Sequence, residues 1–230
     1  MASPTASELS SLGSSTSRSG KTPVFVVTGT SGAGKGTLEK ALLTQMPDLE
    51  LAVSATTRGR REGEENGREY WFITAEDFAE KVAAGDFLEY VDFPWGQRSG
   101  TLRSEIDRIQ TEGRIPLLDL EPQGALEVKR SVPGAVTIFV EAPSFAENER
   151  RLRERATESE GEIEERLDLA REQLSQAGEF DYLVVNDDVD RALTELEEIV
   201  NKELSATMSR PWSTHASTSC SNKSRSDTRS

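Results

Sequence analysis

The 230-residue chain has a single cysteine, Cys220, and a single histidine, His215. One cysteine cannot form an intramolecular disulfide, which excludes a disulfide-framed secreted fold. Both residues lie in a Ser/Thr-rich C-terminal segment for which we predict disorder. The sequence therefore excludes a histidine base, a cysteine nucleophile and a His/Cys metal site from the folded part of the chain.

Long apolar runs and an excess of positive charge are also missing. The longest apolar run, PVFVVTG, is the size of one strand, and a bilayer span needs roughly 18–20 apolar residues. Lys and Arg total 27 against 41 Asp and Glu, a net charge of −14. This balance argues against a nucleic-acid or membrane partner, but it leaves room for a local basic pocket that binds a small anion.

Both ends of the chain are poor in residues that could be buried. Residues 1–22 are rich in Ser, and half of the 26 residues of 205–230 are Ser or Thr. Such segments cannot offset their ordering entropy, so we predict disordered extensions around a folded domain at 23–204. Residues 1–22 carry a net charge of +1 and residues 205–230 a net charge of +3, so the domain at 23–204 carries −18. Residues 1–22 resemble a transit peptide only weakly, which favours a plain extension and a cytoplasmic protein.

Apolar runs and helical patterns alternate along the domain, which predicts an α/β fold with a parallel sheet. Ligands of such sheets bind where the strands end, at the loops that follow them. Predicted strands are 23–28, 51–54, 70–73, 87–93, 115–121, 136–143 and 181–186. Predicted helices are 37–46, 75–85, 102–110, 123–132, most of 145–177 and 190–204, with polar loops at 58–69 and 94–101.

The loop after the first strand carries a phosphate-binding pattern, because residues 29–35 match the GxxxxGK core of a P-loop. Glycines let successive N–H groups point at phosphate oxygens, and the following helix directs its positive end at them. A glycine turn with a surface lysine is the alternative, but the position between a buried strand and a helix favours phosphate binding. The candidate residues are Gly29, Thr30, Ser31, Gly32, Ala33, Gly34, Lys35, Gly36 and Thr37.

One position departs from the strict P-loop pattern. Gly36 stands where a Ser or Thr would ligate Mg²⁺ directly, and Thr37 follows it. The GKGT sequence is familiar from nucleoside monophosphate kinases. It predicts that Mg²⁺ is held mainly by phosphates and water, with an acidic residue as the candidate protein ligand.

Together with this loop, several segments resemble guanylate kinases in order and spacing, from about Val24 to Val200. They read GTSGAGKGTL, SATTRGRREGEENGREYWF, FLEY, RSGT, DLEPQGA, RRLRERAT and FDYLVVNDD. The resemblance implies a P-loop NTPase-type parallel sheet with a GMP-binding insertion at about 54–103 and a mobile helical lid at about 146–170. It also implies ATP-dependent phosphorylation of GMP and dGMP, with Mg²⁺ as cofactor.

The resemblance assigns the acceptor-binding residues. Guanidinium forks suit a phosphate dianion, and a carboxylate can accept from guanine N1–H and N2–H₂ while a hydroxyl donates to O6. Adenine lacks this pattern, so the wrong base would leave buried polar groups unpaired. Solvated loop arginines, a packed tyrosine and a surface glutamate are the alternatives. The implied phosphate ligands are Ser54, Arg58, Arg61 and Tyr70, and the implied guanine ligands are Glu89 and Thr101.

Two further acceptor assignments rest on departures from the family pattern. Many members have a tyrosine pair where this chain has Gln97-Arg98-Ser99, and we hypothesise that Arg98 replaces a tyrosine hydroxyl near the GMP phosphate. Asp119 and Glu121 occupy an acidic pair whose second member is usually Asp. The resemblance places Asp119 near phosphates and metal and Glu121 near guanine, with two solvent-facing strand-end acids as the alternative.

The same resemblance assigns cationic residues in the lid. Arginines delivered by a closing lid can stabilise the charge of the transferring phosphoryl group and exclude water. The implied catalytic residues are Lys35, Arg151, Arg155 and Arg166, and Asn186 is implied near the ATP adenine. Arg/Glu runs are often solvated faces, and the usual lid glycines are absent around Ala156, which predicts a stiffer hinge.

Two other functions are weighed against this one. A non-catalytic guanylate-kinase-like scaffold module would typically lack P-loop residues, which are intact here. A related kinase could act on a different acceptor, such as another nucleotide or a phosphorylated sugar. The sequence leaves monomer and homo-oligomer equally open.

Overall fold

The structure, a computed structural model, describes residues 22–93, 96–154 and 160–209. Strands and helices alternate through most of this length, as the apolar pattern predicts. The strands are Phe25–Gly29 (β1), Leu49–Leu51 (β2), Ala55–Thr56 (β3), Trp71–Phe72 (β4), Phe87–Asp92 (β5), Arg98–Leu102 (β6), Ile115–Asp119 (β7), Val136–Glu141 (β8) and Tyr182–Val185 (β9). The helices are Lys35–Gln45 (α1), Ala75–Ala84 (α2), Arg103–Thr111 (α3), Pro122–Ser131 (α4), Phe145–Glu154 (α5), Glu160–Ser175 (α6) and Val189–Ser209 (α7), with a 3₁₀ turn at Ala177–Glu179.

The main sheet has five parallel strands in the order β2-β7-β1-β8-β9. All five residues of β1 are buried, because helices cover both faces of the sheet. Phe25 and Val27 pack on one face with residues of α1 and α7. Val24 and Val26 pack on the other face with residues of α3 and α4. The predicted α/β fold with a parallel sheet flanked by helices is therefore confirmed.

A second, small sheet has the order β4-β3-β6-β5 and lies within the segment predicted to bind the acceptor. Its β5 and β6 are antiparallel, with Glu89 directly opposite Thr101. A small core of Ala55, Phe78 and Phe87 fills the space between this sheet and α2. The rings of Phe78 and Phe87 are stacked, with centroids 4.3 Å apart.

Element boundaries differ from the sequence predictions in several places, and three of these differences are the largest. Residues 98–102 form β6 instead of a loop, because backbone pairing with β5 stabilises a segment whose side chains show no apolar alternation. The strand predicted at 51–54 ends at Leu51, and Ala55–Thr56 form a separate strand. Helix α7 continues to Ser209, past the predicted limit of 204, because extending a formed helix costs little.

Parts of the predictions fall outside the described residues. These are residues 1–21 and 210–230, the loop residues 94 and 95, and the lid residues 155–159. No helix in the described segments is long and apolar enough to cross a bilayer.

Candidate active site

The phosphate loop runs from the end of β1 into α1, as the sequence predicts. Gly29 and Gly34 have φ angles of 147° and 90°, in the region that favours glycine. A Cβ on Gly29 would lie 2.0 Å from the Val140 carbonyl oxygen, and one on Gly34 would lie 2.5 Å from Nδ2 of Asn186. The loop therefore depends on glycine at these two positions.

Helix α1 begins at Lys35 without a side-chain cap. Its first N–H groups are consequently available to an anion at the positive end of the helix. Lys35 Nζ lies 3.4 Å from the Gly29 carbonyl oxygen, to which it donates, and 4.0 Å from Oδ1 of Asp119. These groups place a cation and a carboxylate at the mouth of the loop.

Glu39 is a buried residue at this site that the sequence analysis missed. It is 5% exposed, and its carboxyl group interacts electrostatically with Asp119 and Lys35. Burial, together with the charge of Asp119, raises the pKa of Glu39 from 4.5 to about 8. Its position four residues after Lys35, on the same face of a helix, is the signal that could have revealed it.

The residues at the loop fit a magnesium ion that is held mainly by its nucleotide. Gly36 offers no hydroxyl, whereas Asp119 supplies the oxygen ligand that Mg²⁺ prefers. Oε1 of Glu39 is buried without a hydrogen-bond partner among the described atoms. Within the described ranges, no group of three or more His, Cys, Asp or Glu side chains could hold a metal. A few carboxylate oxygens combined with phosphates and water match the usual coordination of Mg²⁺ in kinases.

Arg58 and Tyr70 are brought together in the segment predicted to bind the acceptor phosphate. The Arg58 guanidinium lies 5.3 Å from the centroid of the Tyr70 ring. The Ser54 carbonyl accepts a hydrogen bond from Trp71, the residue that follows Tyr70. Arg58, Tyr70 and Ser54 therefore lie in one region of the small sheet.

Glu64, which the sequence analysis did not assign, holds this loop together. It accepts two hydrogen bonds from Arg58, at 2.7 and 3.0 Å, and one from the backbone N–H of Arg61 at 2.7 Å. The hydrogen bonds from the Arg58 side chain lower the pKa of Glu64 most, and the bond from the Arg61 backbone lowers it further, to about 2. Glu64 is thus a carboxylate at physiological pH, and it orients the guanidinium group of Arg58.

Glu89 and Thr101 form a buried pair between the small sheet and α4. Oε1 of Glu89 accepts a hydrogen bond from the Thr101 backbone N–H at 2.9 Å, and the two residues are 6% and 1% exposed. Burial raises the pKa of Glu89, and the hydrogen bonds with Thr101 oppose that rise. A Cβ on Gly124 would lie 2.8 Å from Oε2 of Glu89, so this glycine gives the carboxyl group its space.

Arg98 is not brought to this pair. Its guanidinium lies over the ring of Phe78, 4.6 Å from the centroid, and donates to the Asp92 carboxylate. Alternate residues of a strand point to opposite faces, so Arg98 and Thr101 lie on different faces of β6. Phe78 and Asp92 thus hold the Arg98 guanidinium in this structure, and its contact with the acceptor phosphate stays a prediction.

Gln173 of α6 is a second buried polar residue that the sequence analysis missed. Its Nε2 donates to Oε2 of Glu121 at 2.9 Å, and its Oε1 accepts from the Ser31 backbone N–H at 3.4 Å. A cleft of about 750 Å³ lies beside these groups and is lined by Ser31, Glu121, Arg166 and Gln173, among others. An uncharged amide in a strongly charged helix is the sequence signal.

Arg151 and Asn186 lie beside the phosphate loop. Arg151 donates to the Asn186 carbonyl at 3.0 Å and to the Ala33 carbonyl at 3.5 Å, and Glu147 orients its guanidinium. The Asn186 side chain donates to the Ala33 carbonyl at 2.7 Å. Arg155 lies outside the described residues, and Arg166 lines the cleft beside Gln173.

Comparisons with known proteins identify similar chains. The model of the family described as guanylate kinase matches residues 21–203. The guanylate kinase of Parasynechococcus marenigrum is 48% identical over 175 residues, which are 76% of this chain and 96% of that protein. The guanylate kinase of Rubrobacter xylanophilus is 45% identical over 179 residues, which are 78% of this chain and 93% of that protein.

A solved structure is also similar. The crystal structure of a guanylate kinase from Anaplasma phagocytophilum matches with a TM-score of 0.63 and 27% identity. The match covers 80% of this chain and 86% of that chain. The similarity thus extends over most of the described residues.

Proposed function

The chain belongs to the guanylate kinase family, and we propose that it transfers the γ-phosphoryl group of ATP to GMP, and also to dGMP. The observation that carries the proposal is the combination of an intact phosphate loop with a buried carboxylate, Glu89, fixed by Thr101. The loop suits the phosphates of the donor. The fixed carboxylate suits the hydrogen-bond donors of a guanine base.

ATP binds through the loop that joins β1 to α1. Backbone N–H groups of residues 29–37 receive the phosphate oxygens, and Lys35 adds charge at the β- and γ-phosphates. Asn186, whose side chain donates to the Ala33 carbonyl, lies near the adenine of ATP. Mg²⁺, when bound, neutralises charge on the phosphate oxygens, and Asp119 is the residue that would hold it.

GMP binds across the small sheet. Arg58, Arg61, Tyr70 and Ser54 receive its phosphate, with Glu64 orienting Arg58. The carboxyl group of Glu89 accepts from the guanine N–H groups, while the Thr101 hydroxyl donates to O6. Glu121 contributes further to base recognition from the end of β7.

Transfer proceeds in line: a phosphate oxygen of GMP bonds to the γ-phosphorus as the bond to the leaving ADP breaks, and the GMP phosphate dianion is itself a competent nucleophile. No general base is needed, and catalysis depends on position and on cationic stabilisation of the equatorial oxygens. Lys35, Arg151, Arg155 and Arg166 supply that charge. Closure of the lid would exclude water, which could otherwise hydrolyse ATP.

A coupled assay of ADP release tests the proposal with GMP, dGMP, AMP, UMP and CMP as acceptors. We expect turnover with GMP and dGMP, and at least a hundredfold loss in Lys35→Ala because a phosphate-binding cation is removed. Higher activity on AMP than on GMP would indicate a different acceptor. Absence of activity on every acceptor would favour a binding module.

A further inference from the structure

Gln173 joins two segments that the proposed function assigns to different substrates. Ser31 belongs to the phosphate loop after β1, and Glu121 follows β7 in the main sheet. Gln173 lies on α6 and is only 6% exposed. Its side chain hydrogen-bonds to both segments, at 3.4 Å to the Ser31 N–H and 2.9 Å to the Glu121 carboxylate.

The chemistry of this bridge selects an amide. The Ser31 N–H can only donate, and an ionised Glu121 can only accept. A glutamine side chain satisfies both because it carries an acceptor oxygen and a donor nitrogen. A glutamate would offer acceptors to both partners, and a lysine would offer donors to both. Gln173 is therefore matched to its two neighbours by hydrogen-bond type as well as by position.

The bridge also restricts Glu121. Glu121 is exposed, and an exposed glutamate samples several rotamers. The bond from Gln173 selects one of them and fixes it relative to the phosphate loop. Because α6 supplies the bond, the position of Glu121 depends on the docking of that helix.

We propose that Gln173 is a positioning residue that holds Glu121 in place to read the acceptor base and couples that carboxylate to the phosphate loop. The inference rests on the proposed function, because it takes GMP as the acceptor. It assigns Gln173 an effect on base discrimination, which a purely structural contact would not have.

The test compares GMP with IMP, which lacks the 2-amino group that a correctly placed carboxylate can bind. Steady-state kinetics are measured on the full chain as wild type, Gln173→Ala, Gln173→Glu and Gln176→Ala. We expect Q173A and Q173E to reduce the GMP:IMP ratio of kcat/KM about five- to tenfold, mainly through a higher KM for GMP. Q176A is the matched control, because Gln176 lines the same cleft just after the end of α6, and it should keep the wild-type ratio.

The two variants separate the two halves of the bridge. Q173E retains an acceptor for Ser31 but loses the donor to Glu121, so only Q173A should also raise the KM for ATP. A wild-type ratio in both variants would overturn the inference, and thermal unfolding identifies any variant that fails to fold. Absence of GMP turnover by the wild type would instead overturn the proposed function.

The double variant E121Q/Q173E, which exchanges the two side chains, provides a second test if a single variant is unfolded. It restores a hydrogen bond between the two positions but moves the carboxylate from residue 121 to residue 173. We expect thermal stability to recover while base discrimination stays low. Recovery of the GMP:IMP ratio together with stability would contradict the proposal.

Discussion

Glu39 places a carboxyl group at a buried position of α1, where an aliphatic side chain would be expected. It lies next to the buried Leu38 and is itself buried, and it interacts electrostatically with Asp119, which lies beside Lys35. A neutral carboxyl can donate to an ionised neighbour, which makes the buried position tolerable. The residue therefore links the packing of α1 to the electrostatics of the phosphate loop.

This arrangement predicts a dependence of stability on pH. The pKa of Glu39 rises from 4.5 to about 8 in the folded protein, because of burial and the Asp119 charge. The folded state then binds more protons than the unfolded chain between these values, so the free energy of unfolding falls as pH rises through that window. Glu39→Gln removes the titration while keeping a neutral donor.

Urea unfolding without nucleotide or divalent cation measures this effect. Relative to the wild type, Glu39→Gln should gain about 1–3 kcal/mol in unfolding free energy between pH 5 and pH 8. Glu198→Gln on α7, an exposed position, should give no such gain. The prediction would be contradicted if the unfolding free energies of the wild type and E39Q changed equally with pH.

At the scale of elements, the small sheet has two faces with different tasks. Glu89 points towards Gly124 of α4, whereas Arg98 packs on the ring of Phe78 in α2. One face is thus available for recognition of the base. The other face carries the packing that keeps β5 and β6 in register.

Replacement of Arg98 tests this division. Arg98→Ala removes the contact with Phe78 and the ion pair with Asp92, so we expect a loss of about 1–2 kcal/mol in unfolding free energy. The KM for GMP should stay within about twofold of the wild type, because Phe78 and Asp92 hold the guanidinium on the face of β6 opposite Thr101. Chemical denaturation and steady-state kinetics measure the two effects, and a tenfold rise in that KM would restore the phosphate-binding role.

Gly124 of α4 gives the complementary prediction for the other face. Alanine is the better helix former by about 1 kcal/mol, but its Cβ would lie 2.8 Å from Oε2 of Glu89. The flexible end of Glu89 can move away, so Gly124→Ala should keep its stability while the KM for GMP rises about tenfold. Gln123→Ala, at an exposed position on the same turn, is the control. An unchanged KM in G124A would argue against Glu89 as a guanine ligand.

The predictability of these elements from sequence follows from how local their signals are. The phosphate loop and its two flanking elements are contiguous in sequence. The apolar run of β1 and the helical spacing of apolar residues in α1 are local patterns, so the sequence predicts this segment well. The strand β6 was missed because its partner β5 stabilises it, and Gln173 because its burial arises only when α6 packs. The face on which Arg98 lies depends on the register of two strands, which is a tertiary property.

For the molecule as a whole, an acidic protein is proposed to bind two anionic substrates. The net charge is −14, and several cations of the site have acidic partners, as Arg58 has Glu64 and Arg151 has Glu147. These carboxylates orient the guanidinium groups before a phosphate arrives. The recognition of anions therefore depends on local geometry rather than on the total charge.

Residues 22–209 should contain everything that the reaction needs. The buried core residues of the described chain lie between Val24 and Val200, and 175 residues of this chain match 96% of a relative. A variant truncated to 22–209 should keep kcat and both KM values within about twofold of the full chain, because no described core residue is removed. A larger loss in steady-state kinetics would show that residues outside this range contribute to the site.

The matched control ends the chain at residue 198. This truncation removes Ile199 and Val200, which are 7% and 0% exposed and belong to the core cluster that joins α7 to α1 and the main sheet. Loss of a large buried aliphatic side chain typically costs about 2–5 kcal/mol, and two such losses are comparable to the whole stability of a domain. We expect this variant to lack a cooperative thermal transition, whereas 22–209 should unfold at nearly the temperature of the full chain. A cooperative transition in the shorter variant would mean that the end of α7 is not part of the core.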